Sequence, residues 1–296
     1  MVVRHPAMTA KRVLLRRAGR VYLAGPTLPN AVAVARLLRE QGLNVTLSYW
    51  AAVDQSPQSV AAEYGTTIAA AATLPGTDVA IKVPDLGYNV DLVGSVARAS
   101  AKSNVRVWFD SHWIDSADET LAFATVARNS GTSVGVALPT RWLRTFDDLT
   151  MLDPNIDVRL VKGQWADPQS QDFDPRERYC AVADWTAKYV RLVALATHDV
   201  HALRRALPRL ISLGTPVEVQ LLWGLPLQGA LKVALALDVP ARIYVPFGFP
   251  YLMYSAHSVW ENRRIALWLA KDILIGGRSQ HRRLARISST MAKRHS

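Results

Sequence analysis

One cysteine, Cys180, stands in 296 residues, so no disulfide forms within the chain. Stability has to come from burial, and such cysteine usage fits a reducing, cytoplasmic compartment. No uninterrupted apolar run reaches the length of about 18 residues that a membrane-crossing helix needs. The basic start (Arg4, Lys11, Arg12, Arg16, Arg17) lacks the apolar core and small-residue cleavage site of a secretory signal. Zinc-ligand spacing and an aromatic RNA-binding signature are both missing, so nucleic acid is not expected as a partner despite a net charge of +11. No glycine-rich phosphate turn follows the first strand-like run, which counts against a doubly wound nucleotide-binding sheet, the alternative α/β architecture. Repeats, low-complexity tracts and a Pro/Gly-rich linker are absent from the middle of the chain.

What is present is a rhythm. Half of the residues are apolar, enough to bury a sizeable core. Short β-branched runs alternate with longer Ala/Leu-rich segments, the pattern of βα units on a parallel sheet. The strand-like runs cover residues 20–24, 44–49, 78–83, 105–110, 133–138, 158–162, 191–197, 217–222 and 242–246. Helix candidates include 30–41, 57–72, 90–102 and 115–129. Pro29-Asn30 and Ser116 to Glu119 read as helix starts, because short polar side chains cap exposed N–H groups. Several runs are apolar on both faces, as a parallel sheet covered on both sides requires. The expectation is an α/β protein with one (βα)8 TIM-type barrel over residues 20–275, flanked by basic extensions at 1–19 and 276–296. Nine runs are one too many for that barrel; one is a short outer strand or no strand.

Much of the positive charge lies at the two ends, the second carrying Arg278, Arg282, Arg283, Arg286, Lys293 and Arg294. The excess favours acidic partners, an anionic membrane surface or an acidic carrier protein, while a solvated tail explains it equally well. In a parallel barrel, functional groups gather where strands end. Those ends carry Lys82, Asp110, Arg159, Lys162, Thr197, His198, Glu218, Gln220 and Tyr244. Cations and a histidine converging on one rim suit an anionic ligand, with tyrosines as flat apolar walls. Each also has a plainer explanation: an exposed lysine, a hydrogen-bonding histidine, an ion pair for Arg159, a backbone turn for Gly163, packing for Trp165.

Four segments in order resemble the proline dehydrogenase family. VRLVKGQW (158–165) is similar to VRLVKGAY, ATHD (196–199) to ATHN, VEVQLLWG (217–224) to EFQMLYG, and ARIYVPFG (241–248) to RVYVPYG. Upstream, AIKVPDLG (80–87) looks like VKLTALG, and RVYLAG (20–25) like the family's opening strand. The resemblance implies a distorted (βα)8 barrel with FAD across the strand ends and hydride transfer from an amine-type C–N bond to flavin N5, giving an imine. It implies Arg159 beside N5, Lys162 and Gly163 along the ribityl and pyrophosphate stretch, and Thr197, His198, Glu218 and Gln220 as further cofactor contacts. Lys82, Asp110, Trp165, Tyr244, Tyr251 and Tyr254 fall to the substrate side, with Lys82 matching a family lysine near the substrate carboxylate and expected, with Arg159, to be catalytic.

The departures sit on that substrate side. The family's YLxRRLxEN becomes YLMYSAHSVWEN (251–262), placing Tyr254 and Ser255 where two arginines grip a carboxylate. Its DME strand end becomes Trp108-Phe109-Asp110, and QAYLYR becomes PTRWLR (139–144), with Pro139 in place of a cofactor-binding glutamine. A charge-assisted bidentate pair on a buried carboxylate contributes roughly 2–5 kcal/mol, so its loss argues against free proline as substrate. Arg141, Arg263 or Arg264 are candidates to compensate. The first expectation is therefore a flavin-dependent dehydrogenase or oxidase for another small amine or amino-acid-derived substrate, its acid masked as a thioester on a carrier protein. A barrel without redox chemistry, serving as a binding or scaffold protein, is the second. A proline dehydrogenase feeding quinone from a peripheral membrane position is the third.

Overall fold

The computed structural model describes residues 22–163, 167–169 and 174–249. Among them, eight parallel strands close in sequence order into one barrel. The strands are β1 (Asn44–Trp50), β2 (Thr77–Ile81), β3 (Val107–Phe109), β4 (Val134–Pro139), β5 (Asp157–Val161), β6 (Val193–Ala196), β7 (Val217–Leu222) and β8 (Ala241–Gly248). Helix α1 (Leu28–Glu40) precedes β1. Helices α2 (Pro57–Ala72), α3 (Val90–Ser103), α4 (Ala117–Asn129), α5 (Thr145–Met151), α6 (Pro175–Thr186), α7 (Val200–Ser212) and α8 (Gln228–Ala236) follow β1 to β7 in turn. The barrel closes through β1 and β8, in register from Asn44 opposite Arg242 to Trp50 opposite Gly248.

Local chemistry sets most helix ends. Ser56 Oγ accepts from Ser59 N at 3.3 Å and Pro57 opens α2 with its φ already helical. Asn89, Asp174 and Asp199 cap α3, α6 and α7 in the same way. Asn104 ends α3 in the left-handed region at φ 51°, which a short polar side chain tolerates. Two expected starts shift. Helix α1 begins at Leu28, and Asn30 Oδ1 reaches back to accept from Thr27 N and Oγ1. Ser116 precedes α4 but does not cap it: its hydroxyl donates to Trp113 O, within a 3-10 turn over Ile114–Ser116.

The surplus ninth run is the first. Residues 20 and 21 lie outside the described residues, and Tyr22 to Ala24 form no strand. Ala24 N donates to Pro246 O at 2.8 Å, so the segment lies against the end of β8 without joining the barrel. The proposed boundaries of the basic extensions fall outside the described residues.

Two cores follow from the two-residue strand period. Outward side chains such as Leu47, Val158, Leu160, Val219 and Ile243 meet Leu38, Ile68, Val96, Tyr179 and Leu207 of the helices in one large apolar layer. Inside the barrel Ala80, Trp108 and Ala194 form a small buried apolar cluster, edged by Leu192 and Tyr244. Much of the remaining interior is polar. Asp78, Asp157, Arg159, Glu218, Gln220 and Arg242 are all buried there, while β3, β4 and β6 are apolar on both faces, as expected for several of the runs.

Candidate active site

The barrel interior is a connected polar column. At its lower end Arg242 Nε donates to Glu218 Oε1 at 3.0 Å and its Nη1 lies 2.9 Å from Asp78 Oδ2. Burial would lower the Arg242 pKa, but Asp78 and Glu218 outweigh it and hold the guanidinium charged. Burial raises the carboxyl of Asp78 despite Arg242 and Arg106 beside it. Trp108 Nε1 also donates to Asp78 Oδ2, at 2.8 Å.

One layer up, Gln220 Nε2 donates to Glu218 Oε1, and Gln220 Oε1 accepts from Arg159 Nε, each at 2.5 Å. Arg159 Nη1 donates to Asp110 Oδ1 at 2.5 Å. Its guanidinium carbon lies 4.5 Å from the centre of the Trp108 ring and 5.3 Å from that of Tyr244. Tyr244 OH lies 2.5 Å from Asp110 Oδ2 and 2.6 Å from Ser48 Oγ. Burial first, then the Asp110 charge, pushes the Tyr244 phenol well above its ordinary range, so it stays protonated. One Arg159 donor, Nη2, is buried without a hydrogen-bond partner among the described residues.

At the mouth, Lys82 follows β2 and its Nζ is likewise buried without a hydrogen-bond partner among the described residues, 5.9 Å from the centre of the Trp50 ring. His112 sits just past Asp110, its ring edge-on to Trp113 at 4.3 Å. Burial, helped by the Lys82 charge, lowers the His112 pKa to about 4 against the opposing pull of Asp110. The imidazole is therefore neutral near pH 7.

A second cluster lies over β5 and β6. Lys162 Nζ and Arg176 Nε share Asp199 Oδ2 at 2.8 and 3.0 Å. Burial alone would raise Asp199, but these donors and the N–H of Ala202 hold its carboxyl well below the usual carboxylate range. Thr197 is buried, its hydroxyl accepting from Asp199 N. Gly163 takes φ +92°, and a Cβ there would fall 2.7 Å from Pro139 Cβ and 2.9 Å from Arg141 Cγ, so a side chain is excluded on both counts.

The expected residues thus divide. Lys82, Asp110, Arg159, Gln220 and Tyr244 converge on the barrel axis and its mouth. Lys162, Gly163 and Thr197 line the neighbouring rim. Glu218 is not on the rim: it lies two residues deeper, committed to Arg242 and Gln220, because alternate residues of β7 step down the interior. In His198, Nε2 accepts from Leu222 N at 3.0 Å and Nδ1 lies 3.1 Å from Pro226 O, so backbone groups occupy both nitrogens. It braces the β6 end against the loop after β7. Trp165, Tyr251, Tyr254 and Ser255 lie outside the described residues. Residue-by-residue reading missed Ser48, Asp78, His112 and Arg242. The polar spacing Asp157/Arg159 and Glu218/Gln220 was the available signal for an inward polar face.

No family model matches the chain. Proline dehydrogenase 1 of Bacillus subtilis (strain 168) is 23% identical over 284 residues, which span 90% of this chain and 93% of that protein. The same enzyme of Bacillus subtilis subsp. natto matches over the same extent. Over most of its length the chain is similar in sequence to these proline dehydrogenases. Solved structures share its barrel fold. The crystal structure of proline utilization A (PutA) from Bdellovibrio bacteriovorus inactivated by N-propargylglycine superposes with a TM-score of 0.70 at 18% identity. That match covers 97% of this chain and 36% of the other, so the chain spans about a third of that protein's length. A PutA variant from Bradyrhizobium japonicum gives a TM-score of 0.62 at 16% identity, over 82% of this chain and 32% of the other.

Proposed function

We propose that the chain is an FAD-dependent oxidoreductase removing hydride from an amine-type C–N bond and leaving an imine. One observation carries this reading: Arg159, buried in the middle of β5, is locked by Gln220, Asp110 and two aromatic faces yet keeps one donor uncommitted. FAD, when bound, supplies the hydride acceptor, a ring that gains negative charge on reduction. Arg159 is the preorganised cation for that charge, held so that no reorganisation is needed during reaction. Lys162 and the N–H groups around Gly163 suit the anionic pyrophosphate, and buried Thr197 suits the same stretch. The residues fit the cofactor, with Pro139, which has no donor to offer, as the exception.

On the substrate side, Asp110 fixes the guanidinium and the ring beside it, since Arg159 and Tyr244 both donate to it. Lys82 offers a single point charge, weaker for a carboxylate than a bidentate guanidinium pair. With Tyr254 and Ser255 where the family pattern has arginines, the substrate is an amine other than free proline, its acid masked as a thioester on an acidic carrier protein. Purified protein with flavin absorbance, bleached anaerobically by a panel of amines, tests the class. Bleaching by carrier-loaded but not free amino acids supports the masked substrate; equal rates on both sink it, and rapid bleaching by free proline restores the family substrate.

Pro139 favours one other reading, a barrel that binds without redox chemistry, and colourless protein that takes up no FAD would establish it. Attachment to anionic lipid through residues 278–296 is a separate proposal. No helix among the described residues is long and apolar enough to cross a membrane. Co-sedimentation with anionic vesicles, lost on removing that stretch and in high salt, supports attachment.

A further inference from the structure

Arg141 is the one candidate for the missing carboxylate clamp whose position is described, and its surroundings assign it elsewhere. It follows the end of β4 on a braced turn. Thr140 N donates to Val161 O at 2.8 Å, Trp142 N to Pro139 O at 3.1 Å, and Thr145 Oγ1 to the same oxygen at 2.6 Å. Its stem lies over Gly163, and its Nη1 reaches Gly163 O at only 3.4 Å, a weak bond. Among the described residues this half-buried guanidinium forms no ion pair, whereas neighbouring Arg144 is held by Asp118 and Asp148, and Lys162 and Arg176 by Asp199. A guanidinium presents five N–H donors in a planar fork, and nearly all of them remain uncommitted here. Lys82, by contrast, follows β2 and lies beside Trp50 of β1, on a different arc of the mouth.

We infer that Arg141 binds a phosphate of the dinucleotide, supplying from two residues along the chain the anchoring that Pro139 cannot. The inference rests on the FAD reading. Pro139 and Arg141 together fill the space above Gly163, so the exchange of a polar side chain for proline and the arrival of the arginine belong to one rearrangement of the β4–β5 rim. A cationic fork pairs with phosphate through two parallel bonds, stronger than the neutral amide it replaces.

The test is equilibrium binding of FAD, FMN and riboflavin to apoprotein, followed by flavin fluorescence, for the unsubstituted chain, Arg141→Ala and Arg141→Lys. We expect Arg141→Ala to weaken FAD or FMN by roughly tenfold or more, to leave riboflavin unchanged, and to weaken the salt dependence of FAD binding; lysine recovers part of the loss. Unchanged FAD affinity in Arg141→Ala overturns the inference and spares the FAD reading. Equal loss for all three flavins, or a fallen apoprotein melting temperature accounting for it, makes Arg141 a packing residue and overturns it too. An unsubstituted chain that binds no flavin overturns both.

Discussion

The two faces of β5, β7 and β8 are chemically opposite. Outward, Val158, Leu160, Val219, Leu221, Ile243 and Val245 press into the helices. Inward, on alternate positions of those strands, stand Asp157, Arg159, Glu218, Gln220, Arg242 and Tyr244. Both faces are buried, with Arg159 only 3% exposed and Leu160 0%. They are not held in the same way. Apolar contact is non-directional and adds up by area, so the outer layer tolerates exchange of one well-fitting side chain for another. The inner column is a set of named partners in which removing one strands the next. Stability is spread through the shell, while orientation, which a reactive site needs, is concentrated in the column.

That contrast can be broken. Arg242→Met is the harshest test, because it leaves Asp78 and Glu218 buried without their cation. Breaking a buried pair in this way costs about 3–5 kcal/mol, to be read from denaturant unfolding. Leu207→Ala, at a fully buried position of α7, removes shell contact and leaves a cavity worth about 3 kcal/mol. The two substitutions also differ in kind: we expect Arg242→Met to disturb flavin binding through Glu218, Gln220 and Arg159, and Leu207→Ala to leave it intact in the folded protein.

A smaller effect separates the rim from both. Asp199 has a folded pKa depressed below its unfolded value of about 3.9. Its contribution is present above that unfolded value and is lost as pH falls through the lower folded one. The stability gap between the unsubstituted chain and Asp199→Asn should therefore hold steady from neutral pH to about 4 and narrow below it. A gap that narrows well above pH 4 would show that Lys162 and Arg176 do not hold the carboxylate. Least of all, Glu177→Gln, which breaks the exposed Arg205 pair on the helix surface, should leave the unfolding midpoint where it was.

Much of the barrel was legible one letter at a time. The limits of α2 and β7 coincide with the runs 57–72 and 217–222, since a Ser-Pro start and a β-branched run act locally. The run at 20–24 misled because short apolar alternation looks alike whether or not a neighbouring strand has room for it. At the site, Arg159, Gln220, Asp110 and Tyr244 were legible as polar residues of the strand runs, but only Asp110 lies past a strand end, and Glu218 was placed on the rim because one letter gives no depth. His198 was assigned to the cofactor because its bonds to Leu222 and Pro226 cross to another loop.

By itself the sequence determined the alternation of strand and helix, the parallel barrel and the resemblance to proline dehydrogenases, because periodicity and short motifs are local properties. Only the tertiary structure decided partners. Arg159 finds Gln220 across 61 positions and Tyr244 finds Asp110 across 134, and Arg141 lies on Gly163 and not beside Lys82. Barrel closure brings distant strands to one axis, and charge pairing there depends on depth and direction, neither of which a linear pattern contains.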